Sequence, residues 1–373
     1  MSGYVELHAA SAFSFLEGAS QPEELTKRAG ELEMPAMALL DRNGVYGVAR
    51  FHTSAKRNGV RAHIGAEIVV ASHPSEQRPL AGDPESFGER LRPAWWLPHQ
   101  YAAEPARVAL LCESRAGYQN LCQLVTQFKL REKAKREGAA TWEDLQQYSP
   151  GLVCLTGGDE GPLAAALAGG GEEAGRAVVE RLVGIFGRES VYVEVQRHQE
   201  REQEWRNQAA LRIARSLKLP VLATNGVRYA TTYEREVLDL FTAVRQHTDL
   251  DHAGRLLALN NQRHLRAARE MTALFRDVPG AVKNTLELSA RLRFELDDLG
   301  YEFPRYPVPE GETMDSFLRR RVAEGVMRRY GPKNDRGLLE RAKKQVEHEL
   351  DLIARLGFAG YFLIVWDIVQ FCK

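Results

Sequence analysis

Side chains that can hold a divalent metal ion follow several short apolar runs of this 373-residue chain. The runs are strand-like, and each ends on or near a polar residue; these residues are His8, Asp41, Glu67, His198 and Asn225. In a barrel of parallel strands the carboxyl ends meet at one rim, so side chains placed there converge. Imidazole nitrogen and carboxylate oxygen are common ligands of divalent metals. The pattern therefore predicts a metal centre at a barrel rim, with His8, Asp41, Glu67 and His198 as its ligands.

Each of these residues also has an ordinary structural explanation. A single histidine is more often a structural residue than a ligand. Asp41 is followed by Arg42, Asn43 and Gly44, and Asp and Asn favour a turn of this kind without any metal. Glu67 could pair with an arginine. The repetition of such residues at strand ends favours a shared pocket.

The elements that must position these residues alternate between strand-like and helix-like patterns up to about residue 230. A first strand is expected at 4–8, and Pro22 marks the start of a helix that Ser20 could cap. About six or seven βα units imply parallel strands with right-handed crossovers. Residues 72–104, rich in proline, glycine and charge, interrupt the alternation as an irregular insertion. The predicted fold class is α/β, a distorted parallel barrel of the (βα)7 type that is smaller than a TIM barrel.

After residue 230 the pattern becomes mainly helical. Residues 231–300 have helical patterns, and 301–312 form a linker because each proline there removes a backbone donor and fixes φ. Residues 313–373 contain two amphipathic helices and then an apolar segment that reaches Lys373 without a capping signal. The predicted organisation is a barrel at 1–230, a helical region at 231–300, the linker, and the beginning of a further domain at 313–373.

Composition restricts the class of protein more than its function. Fifty basic and fifty acidic residues cancel, so the net charge does not indicate a nucleic-acid partner. The four cysteines are far apart and form no CxxC pair, which argues against a zinc ribbon and against a disulfide scaffold. We find neither a signal peptide nor an apolar stretch of about 20 residues that could cross a membrane. We expect a soluble cytoplasmic protein with no membrane partner.

One local cluster is strongly basic. It consists of Lys129, Arg131, Lys133, Lys135 and Arg136. If these residues share one face of a helix, they could contact a phosphate backbone. A solvated surface helix is an equally good explanation, and both remain open at this point.

The order of these motifs resembles the PHP (polymerase and histidinol phosphatase) domain at the start of bacterial C-family DNA polymerases. That family comprises the replicative polymerase III alpha subunits and their error-prone relatives. The similar segments are 36–51, 55–67, 192–198, 219–225 and 349–367. The last of them ends in LGFAGYFLIVWD, resembles the entry to the polymerase palm, and is the most specific match. The resemblance implies a PHP barrel, a thumb-like helical region at 231–300 and the start of a palm, truncated, at 313–373.

Several positions depart from the metal-binding pattern of PHP domains. Where the family has an HxH motif, an Asp-His pair, a cysteine and an Asp-x-His motif, this sequence has Ala10, Arg42, Gly158 and residues 226–228. The remaining ligands could hold at most one divalent ion, because neighbouring cations need many ligands to offset their repulsion. Arg42 brings a permanent charge to the rim and is expected to pair with Asp41. Arg228 is expected to pair with Glu67 in the same way.

The resemblance thus implies the N-terminal part of an error-prone DNA polymerase whose PHP domain is a structural scaffold. The assignment to the error-prone branch depends on the reduced ligand set and on segment 41–47. The intact enzyme would use Mg²⁺ to add deoxynucleotides to a primer, through residues expected beyond Lys373. The implied partners are DNA and deoxynucleotides, with a sliding clamp or other polymerase accessory proteins as a further expectation.

Two other functions remain open. One is a metal-dependent phosphoesterase or 3′–5′ exonuclease that works through the remaining ligands, which elemental analysis would detect. The other is a nucleic-acid-binding module without chemistry, which primer extension would distinguish from a polymerase.

Overall fold

A computed structural model of the chain describes residues 3–71, 106–131, 138–300, 305–331 and 336–373. The predicted insertion at 72–104 and the first residues of the predicted linker, 301–304, lie outside the described residues. The chain divides into two compact units, Met1–Leu299 and Gly300–Lys373. The helical residues 231–299 therefore belong to the same compact unit as the barrel.

The first unit is built on a six-stranded sheet whose strands follow one another in chain order. The strands are β1 (Ala36–Arg42), β2 (Arg61–Val69), β3 (Arg107–Cys112), β4 (Leu152–Leu155), β5 (Val191–Val195) and β6 (Val221–Ala223). β1 and β2 are parallel, as are β4, β5 and β6. β3 runs antiparallel to both of its neighbours. The α/β class is confirmed, but the prediction that all strands are parallel is wrong at β3.

The direction of β3 decides which of its residues reaches the rim. An antiparallel strand presents its amino end at the edge where its neighbours present their carboxyl ends. Arg107, the first residue of β3, accordingly pairs with Val69 at the end of β2. Alternation of strand and helix patterns does not specify strand direction, so a parallel β3 was the wrong expectation.

The first described residues form isolated bridges in place of the strand expected at 4–8. Glu6 bridges Met37 of β1, and Ala9 bridges Val227 just after β6, both in the parallel sense. The backbone N–H of Val227 also donates to the carbonyl of His8 at 2.9 Å. The segment therefore joins the two edges of the sheet and brings His8 to the rim.

Helices follow most of the strands. They are α1 (Pro22–Glu31), α2 (Val48–Arg57), α3 (Arg115–Arg131), α4 (Trp142–Tyr148), α5 (Pro162–Phe186), α6 (Arg201–Leu217), α7 (Arg235–Arg245), α8 (Leu250–Ala253), α9 (Ala268–Leu274), α10 (Pro279–Arg291), α11 (Met314–Tyr330), α12 (Arg336–Arg355) and α13 (Ala359–Phe371). The cap of α1 is Gln21, whose N–H donates to Glu24 Oε2 at 2.6 Å. The predicted cap, Ser20, instead donates to Glu234.

The sheet has an apolar layer on each face. Alternation along β1 places Met37 and Leu39 in the outer layer and Ala38 and Leu40 in the inner one. Helix α10 adds Leu288 to the inner layer and therefore covers the apolar end of the barrel. This packing explains why residues 231–299 do not form a separate unit.

The second unit consists of α11, α12 and α13. Their shared core is formed by Phe317, Leu318, Leu350, Ala359 and Leu363. None of the helices in the described part of the chain is long and apolar enough on its own to cross a membrane. The pair Gly337–Arg355 and Ala359–Phe371 would meet that length and composition together, but the two are bent by 119°.

Candidate functional site at the barrel rim

The structure brings three of the four predicted ligands to the same end of the sheet. Asp41 and Glu67 lie near the carboxyl ends of β1 and β2, and His8 lies in the segment that joins the sheet edges. Glu194, which was not predicted, projects from β5 into the same region. All four side chains are buried. The rim is therefore a closed polar cluster, and its chemistry depends on how these groups pair.

His8 lies between two carboxylates. Its Nδ1 is 2.7 Å from Glu194 Oε1, and its Nε2 is 2.8 Å from Glu67 Oε1. Carboxylates only accept, so both ring nitrogens donate and the ring is an imidazolium. Burial alone would lower the pKa of His8, but the charges of Glu194 and Glu67 outweigh it and raise the pKa to about 10. An imidazole protonated on both nitrogens has no lone pair for a metal.

The second oxygen of Glu67 faces arginine. Arg228 Nη1 lies 3.3 Å from Glu67 Oε2, and Arg107 Nη1 lies 3.8 Å from it. Burial would raise the pKa of Glu67, but Arg228 and His8 hold it well below its usual range. The predicted pair of Arg228 with Glu67 is confirmed. Glu67 thus has a cation on each oxygen.

The carboxylate of Asp41 accepts hydrogen bonds from two serines. It accepts from the backbone N–H of Ser11 at 2.8 Å, from the Ser11 hydroxyl and from the Ser14 hydroxyl at 2.8 Å. The predicted pair of Arg42 with Asp41 is wrong, because neighbouring residues of a strand point to opposite faces. Arg42 instead donates to Glu17. Burial raises the pKa of Asp41 above its ordinary value.

Glu17 forms ion pairs with three arginines. Arg107 donates to both of its oxygens, at 2.5 and 3.1 Å, Arg245 Nη1 lies 2.9 Å from Oε1, and Arg42 also pairs with it. Burial would raise the pKa of Glu17, but Arg107 and the other arginines lower it. Arg107 therefore links Glu17 to Glu67 across the rim.

His198 makes its contacts elsewhere. Its Nε2 donates to the carbonyl of Asn225 at 2.9 Å, and its Nδ1 accepts from Gln203 Nε2, also at 2.9 Å. Burial and the nearby Arg263 lower the pKa of His198 to about 4. The ring is thus neutral, with both nitrogens occupied in hydrogen bonds.

The residues present do not fit the metal cluster that the PHP resemblance implies. Both nitrogens of His8 and both nitrogens of His198 are committed, and Glu67 is bound by fixed cations. Within the part of the chain that the structure describes, no group of three His, Cys, Asp or Glu side chains is arranged to hold a metal ion. The donor set is that of an ion-pair network.

Two members of the predicted basic cluster are described. Lys129 lies over the ring of Tyr46, 4.6 Å from its centroid, and donates to the Tyr46 hydroxyl. Arg131 Nη2 pairs with Asp144 Oδ1 at 2.6 Å. The other three, Lys133, Lys135 and Arg136, lie outside the described residues.

Sequence reasoning missed Glu194, Arg107 and Glu6. Glu194 interrupts an otherwise apolar strand, and a charged residue at an inward position of a buried strand is a usable signal for a site. Arg107 was missed because it lies at the start of β3, which was expected to run in the other direction. Glu6 accepts from Tyr4 at 2.7 Å, and burial raises its pKa to about 7.

Error-prone DNA polymerases match nearly the whole chain. The one from Nocardia farcinica is 35% identical over 99% of this chain and 34% of its own length. Those from Mycobacterium tuberculosis and Pseudomonas aeruginosa are 34% and 32% identical, over 99% and 100% of this chain and 32% and 31% of theirs. The chain thus spans about a third of the length of these relatives.

Among solved structures, an amidohydrolase from Chromobacterium violaceum has a TM-score of 0.37 at 13% identity, covering 61% of this chain and 88% of that chain. A TM-score of that size supports no argument about fold or function.

Two family models match separate parts of the chain. Residues 316–373 match the bacterial DNA polymerase III alpha NTPase domain. Residues 6–198, which include every rim residue up to His198, match the PHP domain. Since this second match covers just over half of the sequence, the chain belongs to the PHP domain family.

Proposed function

We propose that the chain is the N-terminal part of an error-prone DNA polymerase and that its PHP barrel is a structural scaffold without phosphoesterase activity. The observation that carries the second half of the proposal is the position of His8 between Glu67 and Glu194, 2.8 and 2.7 Å away. A catalytic two-metal site needs neutral imidazoles and unpaired carboxylates as ligands. Here the same side chains neutralise one another.

The first half of the proposal is supported by the similarity to error-prone DNA polymerases over 99% of the chain. By that similarity the intact protein would act on DNA and deoxynucleotides with Mg²⁺ as cofactor, and a sliding clamp or other accessory protein would be a further partner in the cytoplasm. Residues 231–300 would correspond to a thumb-like region and 313–373 to the start of the palm.

The polymerase half is tested by primer extension with the intact gene product. We expect Mg²⁺-dependent extension of a primed template, including extension across an abasic site. Extension that stops at every such site would contradict the error-prone assignment. Absence of any extension would favour a nucleic-acid-binding module.

The scaffold half is tested with the same protein. We expect no release of nucleotides from the 3′ end of DNA and no stoichiometric Mn, Fe or Zn by elemental analysis. The contradicting result is nuclease activity that depends on added Mn²⁺ and is lost in His8→Ala. His252→Ala is the matched control, because His252 is an exposed histidine paired only with Asp249 on the surface helix α8.

We keep nucleic-acid contact by the basic cluster as a proposal. It is supported by Lys129, whose ammonium lies over the exposed ring of Tyr46, a combination of charge and aromatic ring that suits a single-stranded backbone. Arg131 is the weaker member, because Asp144 already binds its guanidinium. Lys129→Gln should reduce DNA affinity and its salt dependence, whereas Lys283→Gln, an exposed lysine on α10, should leave both unchanged.

A further inference from the structure

The side chain of Gln196 packs against two glycines, Gly158 and Gly226. Gln196 follows β5, while Gly158 and Gly226 follow β4 and β6, the strands on either side of it. A Cβ atom at Gly158 would overlap Gln196 Oε1, and one at Gly226 would lie 2.5 Å from it. The amide of Gln196 thus fills the space that side chains at 158 and 226 would need.

The amide is held in one orientation. Its Nε2 donates to Glu194 Oε1 at 2.8 Å and to Thr224 Oγ1 at 3.2 Å. Glu194 can only accept, so the NH₂ group must face it, and this fixes which end of the amide is Oε1. Both ends of the amide border the two glycines. Asn207 Nδ2 donates to the backbone carbonyl of Gln196 at 2.7 Å, which also fixes the backbone of this residue.

Two buried acceptors at this point have no hydrogen-bond partner among the described residues. They are Gln196 Oε1 and Glu194 Oε2. A cavity of about 30 Å³, lined by both side chains and by Gly158 and Asp159, lies beside them. A buried acceptor without a donor costs about 1–3 kcal/mol, and a polar cavity of this size holds a water molecule. The ligand that fits is small and donates hydrogen bonds.

The surrounding charges favour water over a cation. Glu194 already accepts from the His8 imidazolium at 2.7 Å, and Asp159 is paired with Arg206 and, at 2.9 Å, with Arg263. Asp159 therefore faces two fixed positive charges, and Glu194 Oε1 is already bound by His8. A divalent ion in the cavity would be repelled by these cations and would gain no uncompensated carboxylate.

We propose that Gln196, together with one water molecule bound between its Oε1 and Glu194 Oε2, forms a plug that keeps divalent cations out of this part of the rim. The inference rests on the proposed scaffold function and deepens it, since it names the residue that fills the space between the strand ends. Gly158 and Gly226 leave the space that the Gln196 amide occupies, because neither has a Cβ atom.

The packing half is tested by a double-mutant cycle. Gly158→Ala should lower the thermal midpoint of unfolding by several degrees, and most of that loss should disappear in the Gln196→Ala background. Gly184→Ala, in α5 with open space around its Cβ, is the matched control; it should raise the midpoint slightly, because alanine favours the helix, and by the same amount in both backgrounds. If Gly158→Ala does not fold, folding of the double variant is the equivalent expected result. An equal loss in both backgrounds, or failure of the double variant to fold, would overturn the inference.

The ligand half is tested by crystallography of the chain with and without a MnCl₂ soak, with data collected at the Mn edge. The expected result is one water peak within hydrogen-bond distance of both oxygens and no anomalous peak. A Mn²⁺ peak on either oxygen, or an empty cavity, would refute the plug. Either outcome is distinguishable from failure of the scaffold function, because that failure requires nuclease activity and not metal binding alone.

Discussion

At the level of single residues, the rim shows how ion pairs can occupy the positions of metal ligands. His8, Asp41 and Glu67 are where a strand-end argument places them, since the carboxyl ends of parallel strands converge. Of their partners, Arg228 was predicted for Glu67, whereas the partners of His8 and Asp41 were not. Ser11 and Ser14 donate hydrogen bonds to Asp41 because the loop after His8 folds back towards β1. The spacing of residues in the sequence does not indicate this conformation of the loop.

Loss of one carboxylate from this network should be costly. Glu194→Gln removes the negative charge that faces the buried imidazolium of His8. Breaking a buried ion pair in this way costs about 3–5 kcal/mol. We expect a fall of that size in the free energy of unfolding measured by urea titration. Glu180→Gln is the control, because Glu180 forms an exposed pair with Arg176 and such pairs contribute about 0–1 kcal/mol. Similar small losses for both variants would show that His8 is not held as a cation.

At the level of elements, the strands and most helices follow from hydrophobic pattern, whereas their directions and partners do not. The pattern of β3 is compatible with either direction, and only the antiparallel one brings Arg107 to the rim. Helix α10 has an ordinary amphipathic sequence, and nothing local indicates that it packs against the barrel interior. The boundary near residue 230 was expected because a change from a mixed to a helical pattern was interpreted as the start of a new unit. The first compact unit extends to Leu299, and a local pattern does not indicate this.

The contact between β2 and α10 should make stability depend on pH. His63 Nε2 lies 2.7 Å from Ser289 Oγ, and burial lowers the pKa of His63 from 6.5 to about 3. Between these values the unfolded chain binds the proton and the folded chain does not. The contribution of His63 is therefore fully present above pH 6.5 and is lost as the pH falls towards 3, by about 1.4 kcal/mol per pH unit.

The measurement compares the wild type with His63→Gln, which keeps a hydrogen-bonding group but does not titrate. From pH 7 to pH 5 the wild type should lose about 2 kcal/mol more in the free energy of unfolding than the variant. Taking the difference cancels the other titrating groups. Equal losses would mean that His63 is accessible to protons in the folded protein.

At the level of the whole molecule, the chain holds two compact units that divide after Leu299. The first contains the PHP barrel and also the helices up to α10, because Leu288 of α10 and Leu292, which follows the helix, cover the apolar end of the sheet. The proposed scaffold function gains a physical basis from this packing, since the barrel and the helices after it share one core.

This division predicts which fragments fold. Residues 1–299 should unfold in a single cooperative transition, whereas residues 1–230 should be expanded, because the inner apolar layer loses its cover. Circular dichroism and the denaturant dependence of unfolding would distinguish them, with the m-value as the measure of buried surface. A cooperative, protease-resistant 1–230 fragment would instead support a boundary near residue 230.

The segment that joins the sheet edges has a consequence for synthesis of the protein. Ala9 pairs with Val227, and the N–H of Val5 donates to Thr285, which follows it by 280 residues. At the ribosomal rate of about 5–20 residues per second, the beginning of the chain must wait on the order of ten seconds or more for these partners. His8 is likewise without Glu194 during that interval. The first part of the barrel to be synthesised is thus among the last to be secured, which leaves this segment open to chaperones until the far strands emerge.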